Sequence, residues 1–234
     1  MKKLRSLTIF FPFYNDEGTV EKAISDAYKY GKQVANKIEI IAIHGGDSKD
    51  KTFEVIKKMQ REYPKLIIVD KTDNWERYAV IKYGFQKAKG EWVFYTDGDL
   101  QYSLEDLKKL VSKQQETGTD VVNGFRTQRA DDFIRVVPGN IYKVLARIIF
   151  RLPIRDLECD FRLIKNGFIK RIDLTAHNAS ILLELIKKLE LVGARFAEVR
   201  VRHYHRRYGK STYNPFILLW EKVSGDFNIS RKLK

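Results

Sequence analysis

A chain of 234 residues, 44% hydrophobic and 12% aromatic, carries enough apolar matter for a sizeable core, and its single cysteine, Cys159, excludes an internal disulfide. A disordered tail and a disulfide-stapled mini-fold are thereby ruled out, and one thiol fits a reducing, cytoplasmic compartment. Lys and Arg outnumber Asp and Glu by 44 to 30, and the excess is +2 over residues 1–125 but +12 over 126–234, a field that favours an anionic partner.

The basic start runs into Leu7–Phe13, which Thr8 and Pro12 interrupt without a small-residue cleavage site, so no signal peptide is expected. Strands are predicted at Leu7–Phe11, Ile38–Ile43, Leu66–Val69, Trp92–Thr96 and Asp120–Asn123. Helices are predicted between them at Glu17–Tyr30, Lys51–Arg61, Tyr78–Lys89 and Leu104–Glu116, the last with an N-cap at Ser103. Strands alternating with helices point to an α/β fold with a mostly parallel sheet. A looser stretch follows up to Phe161, then a helix near Ile181–Leu191 and a strand at Ala197–His203. The expected division is one catalytic-type domain over 1–212, with halves 1–125 and 126–212, and an amphipathic basic segment over 213–234. That segment fits an interfacial membrane helix and ordinary packing on the domain equally well. No apolar run approaches the ~18 residues of a membrane span, so the chain is expected to be soluble or to lie peripherally on the cytoplasmic membrane face.

Ligands of open α/β sheets sit beyond the carboxyl ends of the strands, and the segments there are polar. Asp97-Gly98-Asp99-Leu100-Gln101 follows the fourth strand with three oxygen-bearing side chains at spacing two, which an extended segment would present on one side. Such donors suit Mg²⁺ or Mn²⁺, with open positions left for water and substrate phosphates; a solvated turn has the same composition. His44 to Thr52 lacks both the P-loop ending and the three-glycine dinucleotide fingerprint. His177, His203 and His205 form no zinc constellation with the lone thiol.

Taken together, Phe11-Pro12-Phe13-Tyr14-Asn15-Asp16-Glu17, Asp47-Ser48-Lys49-Asp50-Lys51-Thr52 and Thr96 to Gln101 resemble the family-2 glycosyltransferases of GT-A fold. Asp120 to Arg126, Asp156 to Leu163, and His203-x-x-Arg206-x-x-Gly209-x-Ser211 resemble the branch with dolichyl-phosphate mannose synthases and bacterial polyprenyl-phosphate glycosyltransferases. The resemblance implies that Asp97, Asp99 and Gln101 hold the metal and that Pro12, Tyr14, Glu17, Gly46, Asp47 and Asp97 line the nucleotide pocket. It also implies that Arg206 and Ser211 face phosphates. Where relatives carry Asp-Asp-Gly-Ser, this chain has Gly45-Gly46-Asp47-Ser48, and Asp160 stands where relatives carry Gly.

The implied reaction is metal-dependent inverting transfer of a sugar from a nucleoside-diphosphate donor to a polyprenyl phosphate. Asp97, Asp99, Arg206 and Asp160 are its expected catalytic residues. Arg126, Arg129, Arg135, Arg162 and Ser211 are the candidate clamp for the acceptor phosphate, since guanidinium forks match phosphate geometry. A saccharide hydroxyl acceptor would need a carboxylate base, for which Asp156, Glu158, Asp160 and Glu184 are candidates. A non-catalytic nucleotide-sugar-binding protein is the remaining alternative; no nucleic-acid motif is present, so nucleic acid is not expected as a partner.

Overall fold

The computed structural model describes residues 1–46, 48–71, 79–126, 147–176, 178, 180–206 and 208. Its elements in chain order are β1 (Leu4–Phe13), α1 (Val20–Val34), β2 (Ala35–Gly45), α2 (Thr52–Glu62), β3 (Ile67–Lys71), α3 (Ala79–Lys87) and β4 (Trp92–Thr96). There follow a 3₁₀ turn (Leu104–Asp106), α4 (Leu107–Thr117), β5 (Val121–Phe125), β6 (Phe161–Lys165), α5 (Asn166–Ile169), α6 (Ile181–Leu191) and β7 (Phe196–Arg200).

The strands read as near-continuous apolar runs because both faces of the sheet are covered. Along β1, Leu7, Ile9, Phe11 and Phe13 point into one core, which α1, α2 and α4 close, while Phe10 points into a second core closed by α3 and α6. Helix α1 shows how the first core is built: Val20, Ala23, Ile24, Ala27, Gly31 and Val34 recur at helical spacing and all are buried.

The seven strands form one sheet in the order β3-β2-β1-β4-β6-β5-β7. Pairings β1–β2, β1–β4, β2–β3 and β5–β7 are parallel, whereas β6 runs antiparallel to both β4 and β5. The carboxyl ends of six strands therefore lie along one edge of the sheet, with the start of β6 among them.

Strand β6 is absent from the sequence reading. Its run Phe161-Arg162-Leu163-Ile164-Lys165 carries a charge at a position that proves fully buried, which masks the alternation. Helix α1 begins at Val20 rather than Glu17, because the carbonyl of Asp16 accepts the Thr19 and Val20 amides in a separate turn. Strand β7 stops at Arg200. Ser103 makes no side-chain cap; its hydroxyl accepts from Arg202, which also grips Glu105 and the buried Asp106.

Candidate functional site

The loops after β1 and β2 are stitched together by side chains accepting backbone amides. Asn15 N–H donates to Ser48 Oγ (3.1 Å), Asp16 N–H to Thr52 Oγ1 (2.8 Å) and Glu17 N–H to Asp50 Oδ2 (3.0 Å), while Lys49 N–H returns to Asn15 Oδ1 (2.7 Å). Asn15 adopts a left-handed backbone (φ 54°), which turns the chain so that the Asp16 carboxylate accepts the Tyr14 amide at 2.9 Å. Ser48, Asp50 and Thr52 thus act as loop fasteners, and Asp50 additionally accepts the Thr52 amide at the start of α2.

Beyond β4 the chain turns sharply. Gly98 packs on the ring of Phe13, where a Cβ would lie 2.3 Å from two ring carbons, and Leu100 is left-handed (φ 60°). The segment is consequently a strained turn and not the extended run expected from spacing. It leaves Asp97 exposed and Asp99 buried. Asp99 Oδ1 accepts the Gln101 amide (3.0 Å) and Oδ2 accepts Arg206 Nη2 (2.6 Å). No hydrogen bond reaches Asp97 among the described residues. Gln101 donates Nε2 to the Tyr204 carbonyl (3.3 Å) and pairs with Tyr204 through its backbone.

Residues 203–206 and Tyr208 form a strap over this turn. His203 bridges to Tyr102, Arg206 reaches Asp99, and Tyr208 donates to Glu17 (2.5 Å) with its ring lying on Gly18, where a Cβ would displace the ring. Glu17 also accepts the Lys51 amide, so its carboxylate joins loop to strap.

Asp97 sits in a recess whose walls displace much of the water that a carboxylate on a convex surface would keep. That loss of hydration, followed by the charges of Asp160, Asp99 and Asp16, raises its pKa well above the usual range against the opposing Arg206 cation. Burial likewise pushes Asp16 up to about 6. Asp97, Asp160, Asp99 and Asp16 thus leave the recess electron-rich, with Arg206 as the opposing cation.

Asp160 belongs to the recess through a row of side chains across the sheet. Tyr95, Arg162 and Asn123 stand opposite one another on β4, β6 and β5. The fully buried Arg162 donates Nε to Asn123 Oδ1 (2.6 Å) and Nη1 to the Tyr95 hydroxyl (2.9 Å), and Nη2 to the Leu157 carbonyl. Tyr95 in turn donates to Asp160 Oδ1 at 3.0 Å. A guanidinium bonded to the phenol oxygen polarises its O–H and strengthens the bond to Asp160. This row escaped sequence reasoning; residue parity was the available signal, since Tyr95 and Asp97 share a strand face, as do Asp160 and Arg162.

Two expected phosphate ligands are placed otherwise. Arg162 lies wholly inside the protein, beyond reach of a phosphate at the surface. Arg126, with a side chain only 5% exposed, is held bidentately by Asp156 at 2.8 and 2.9 Å. Burying either cation is tolerable because each has fixed partners. Asp156 accordingly orients an arginine. Glu184 is no base either: it accepts the Thr175 and Ala176 amides and a Lys188 ion pair (2.7 Å), fastening α6 to the preceding loop. Pro12 and Tyr14 are half-buried at the end of β1 and Gly46 lies in the turn after β2, all on the site edge of the sheet. Asp47, Arg129, Arg135, His177, Ser211 and the segment 213–234 lie outside the described residues.

The sequence profile described as glycosyl transferase family 2 matches residues 8–190. The chain belongs to that family. Among curated relatives, an undecaprenyl-phosphate 4-deoxy-4-formamido-L-arabinose transferase of Proteus mirabilis is 26% identical over 215 residues, covering 91% of this chain and 64% of the relative. The Pseudomonas fluorescens protein of the same description is 25% identical, with 92% and 62% covered. The chain thus spans less than two-thirds of the length of these relatives. Among solved structures, a mannosyltransferase from Pyrobaculum calidifontis in complex with GDP-Man and Mn²⁺ superposes with a TM-score of 0.63 at 16% identity, covering all of this chain and 74% of that one. Glucosyl-3-phosphoglycerate synthase from Mycobacterium tuberculosis, in complex with Mn²⁺, UDP and glucosyl-3-phosphoglycerate, gives 0.67 at 15% identity, with 97% and 80% covered. The family-2 fold here is of the GT-A type. Among the described residues no helix is long and apolar enough to cross a membrane.

Proposed function

We propose that this protein is an inverting glycosyltransferase that moves a sugar from a nucleoside-diphosphate sugar to a polyprenyl phosphate, with Mg²⁺ or Mn²⁺ as cofactor. The observation that carries the reading is the exposed, unbonded carboxylate of Asp97 at the carboxyl end of β4, with Asp16, Asp99 and Asp160 around it and the Arg206 cation reaching in from the strap. The relatives' undecaprenyl-phosphate acceptors and the Mn²⁺ and nucleotide ligands of the solved neighbours support it.

The donor set fits a hard cation. Among the described residues no three His, Cys, Asp or Glu side chains group as a metal site, so Asp97 and Asp99 are the proposed protein ligands, with Gln101 two residues on as a third. Two carboxylates with the remaining positions open to water and diphosphate are what Mg²⁺ commonly takes. When bound there, the cation would supply Lewis-acid stabilisation of the charge that builds on the leaving diphosphate.

The protein's own part follows from the geometry. Arg206 pairs with Asp99 and would turn its guanidinium to the diphosphate as that group arrives, replacing one anionic partner by another. The acceptor oxygen forms its bond to the anomeric carbon as the bond to diphosphate breaks, and the nucleoside diphosphate leaves with the electron pair. A phosphate acceptor has a second pKa near ~6, is largely dianionic at neutral pH, and needs no base. Arg129, Arg135 and Ser211 stay as proposed ligands for it.

Asp160 favours a second reading, in which a saccharide hydroxyl is the acceptor and this carboxylate, held by Tyr95, takes its proton. Calorimetry with UDP, GDP, CDP and dTDP, with and without Mn²⁺, on the native chain and on Asp97→Ala/Asp99→Ala tests the donor site. Metal-dependent binding of one nucleotide, lost in the double variant, is expected; binding of none refutes the enzymatic reading. Asp160→Asn that binds donor but transfers to no acceptor would select the hydroxyl reading.

A further inference from the structure

Outside the recess, one surface combines exposed aliphatic side chains with a belt of cations. Ile148 and Ile149 are consecutive and 68% and 53% exposed, the only such adjacent pair of large aliphatics among the described residues. They stand on a helical turn that is anchored: Leu152 N–H donates to the Arg147 carbonyl (3.0 Å), and Leu152 and Ile154 are buried in the second core. Arg147, Arg151 and Arg155, all exposed, flank the pair along the chain. The Arg155 guanidinium lies 5.0 Å from the centre of the Phe125 ring and 3.3 Å from Glu198, whose carboxylate also feels Arg147.

Beside Arg155 a groove of about 750 Å³ runs between α4 and β7, with Lys108, Lys109 and Lys113 on one wall and Arg200 on the other. The three lysines and Arg155 have carboxylate partners nearby; Arg151 and Arg200 have none among the described residues. Two aliphatics inside a wide cationic rim match a layer of anionic headgroups over an apolar boundary, where isoleucines insert and arginines remain at headgroup level.

The face also lies where a membrane-borne substrate would profit from it. Phe125 and Arg200 end β5 and β7 on the same sheet edge as Asp97, and β7 is three strands from β4, or about 14 Å at the usual spacing. We propose that the surface formed by Ile148, Ile149, Arg147, Arg151, Arg155 and Arg200 docks this protein on an anionic bilayer. The inference concerns a surface outside the donor recess and stands whether the acceptor is a lipid phosphate or a saccharide.

The test is co-sedimentation of the full chain with vesicles of phosphatidylcholine alone or mixed with phosphatidylglycerol, without nucleotide or acceptor. At least tenfold stronger partitioning onto the anionic vesicles is expected, weakened by salt. Ile148→Glu/Ile149→Glu and, separately, Arg151→Glu/Arg200→Glu should each lose tenfold or more. All four side chains are exposed, so both variants should keep the native melting temperature. Nucleotide binding measured by calorimetry in the same preparations reads the donor site independently, so failure of one reading leaves the other visible. The proposal is overturned if the native chain ignores anionic vesicles, or if both variants bind them as well as the native chain, which would assign docking to another segment. It is equally overturned if sedimentation velocity without lipid finds a dimer that Ile148→Glu/Ile149→Glu dissolves.

Discussion

Replacing Gly98 by Ala adds one methyl group between the two carboxylates of the β4 turn. Its Cβ would lie 2.3 Å from the Cδ1 and Cε1 atoms of Phe13 and 3.1 Å from the Pro12 carbonyl, against a carbon–carbon contact of about 3.6 Å. Phe13 has no room to yield: it is fully buried, and Phe11 stacks on it at 5.6 Å. The turn itself must therefore move outward by about 1 Å, carrying Asp97 and Asp99 with it. Overpacking of this kind costs about 1–3 kcal/mol of stability, and a 1 Å misplacement of positioning groups costs on the order of 10²-fold in rate. Gly98→Ala should thus remain folded at 25 °C with a lowered melting temperature, while metal-dependent nucleotide binding measured by calorimetry and donor turnover both fall steeply. Native affinity and turnover in a variant that is clearly destabilised would refute the link between the Phe13 contact and the carboxylate geometry.

Three other perturbations probe different parts of the molecule. Asp16 titrates at about 6 in the folded chain against 3.8 when unperturbed, so the folded state holds its proton longer and its stabilising contribution is full below pH 3.8 and lost as pH rises through 6. In urea denaturation with EDTA present, the stability of the native chain relative to Asp16→Asn should fall by about 2 kcal/mol between pH 4 and 7; parallel profiles would contradict the burial argument. Tyr95→Phe leaves Asp160 without the phenol donor and Arg162 Nη1 without its acceptor; with a phosphate acceptor, which needs no base, kcat should stay within about threefold, whereas a fall of about tenfold in kcat with donor KM within about twofold would select the hydroxyl reading, a split that steady-state kinetics reads directly. Glu184→Ala removes the acceptor of the Thr175 and Ala176 amides, and should cost about 3 kcal/mol in chemical denaturation while nucleotide affinity at 20 °C stays native; an affinity loss would place Glu184 in the site after all.

Local pattern was sufficient for much of this protein. Buried parallel strands must be apolar along their length, so β1, β3, β4 and β5 were legible from runs such as Leu7–Phe11 and Trp92–Thr96, and the polar tails after them marked the ligand edge of the sheet. The place of Asp97-Gly98-Asp99 was legible for the same reason, since carboxylates directly after a fully buried strand lie at its carboxyl end, whereas its sharp turn, set by Gly98 against Phe13 and the left-handed Leu100, was not. What depended on chain-distant contacts was hidden. No local signal tells that Arg162 is inside and Arg206 outside, because a guanidinium's position is decided by the partners it meets, here Asn123, Tyr95 and Leu157 for one and Asp99 for the other. The antiparallel insertion of β6, the capture of Arg126 by Asp156, the fastening role of Glu184 and the pairing of Ile148 and Ile149 with an arginine rim rest on the same principle. Sequence sets which side chains can carry charge or be buried; only the tertiary fold decides which of them face one another across a few ångströms, and electrostatic energies depend on that separation.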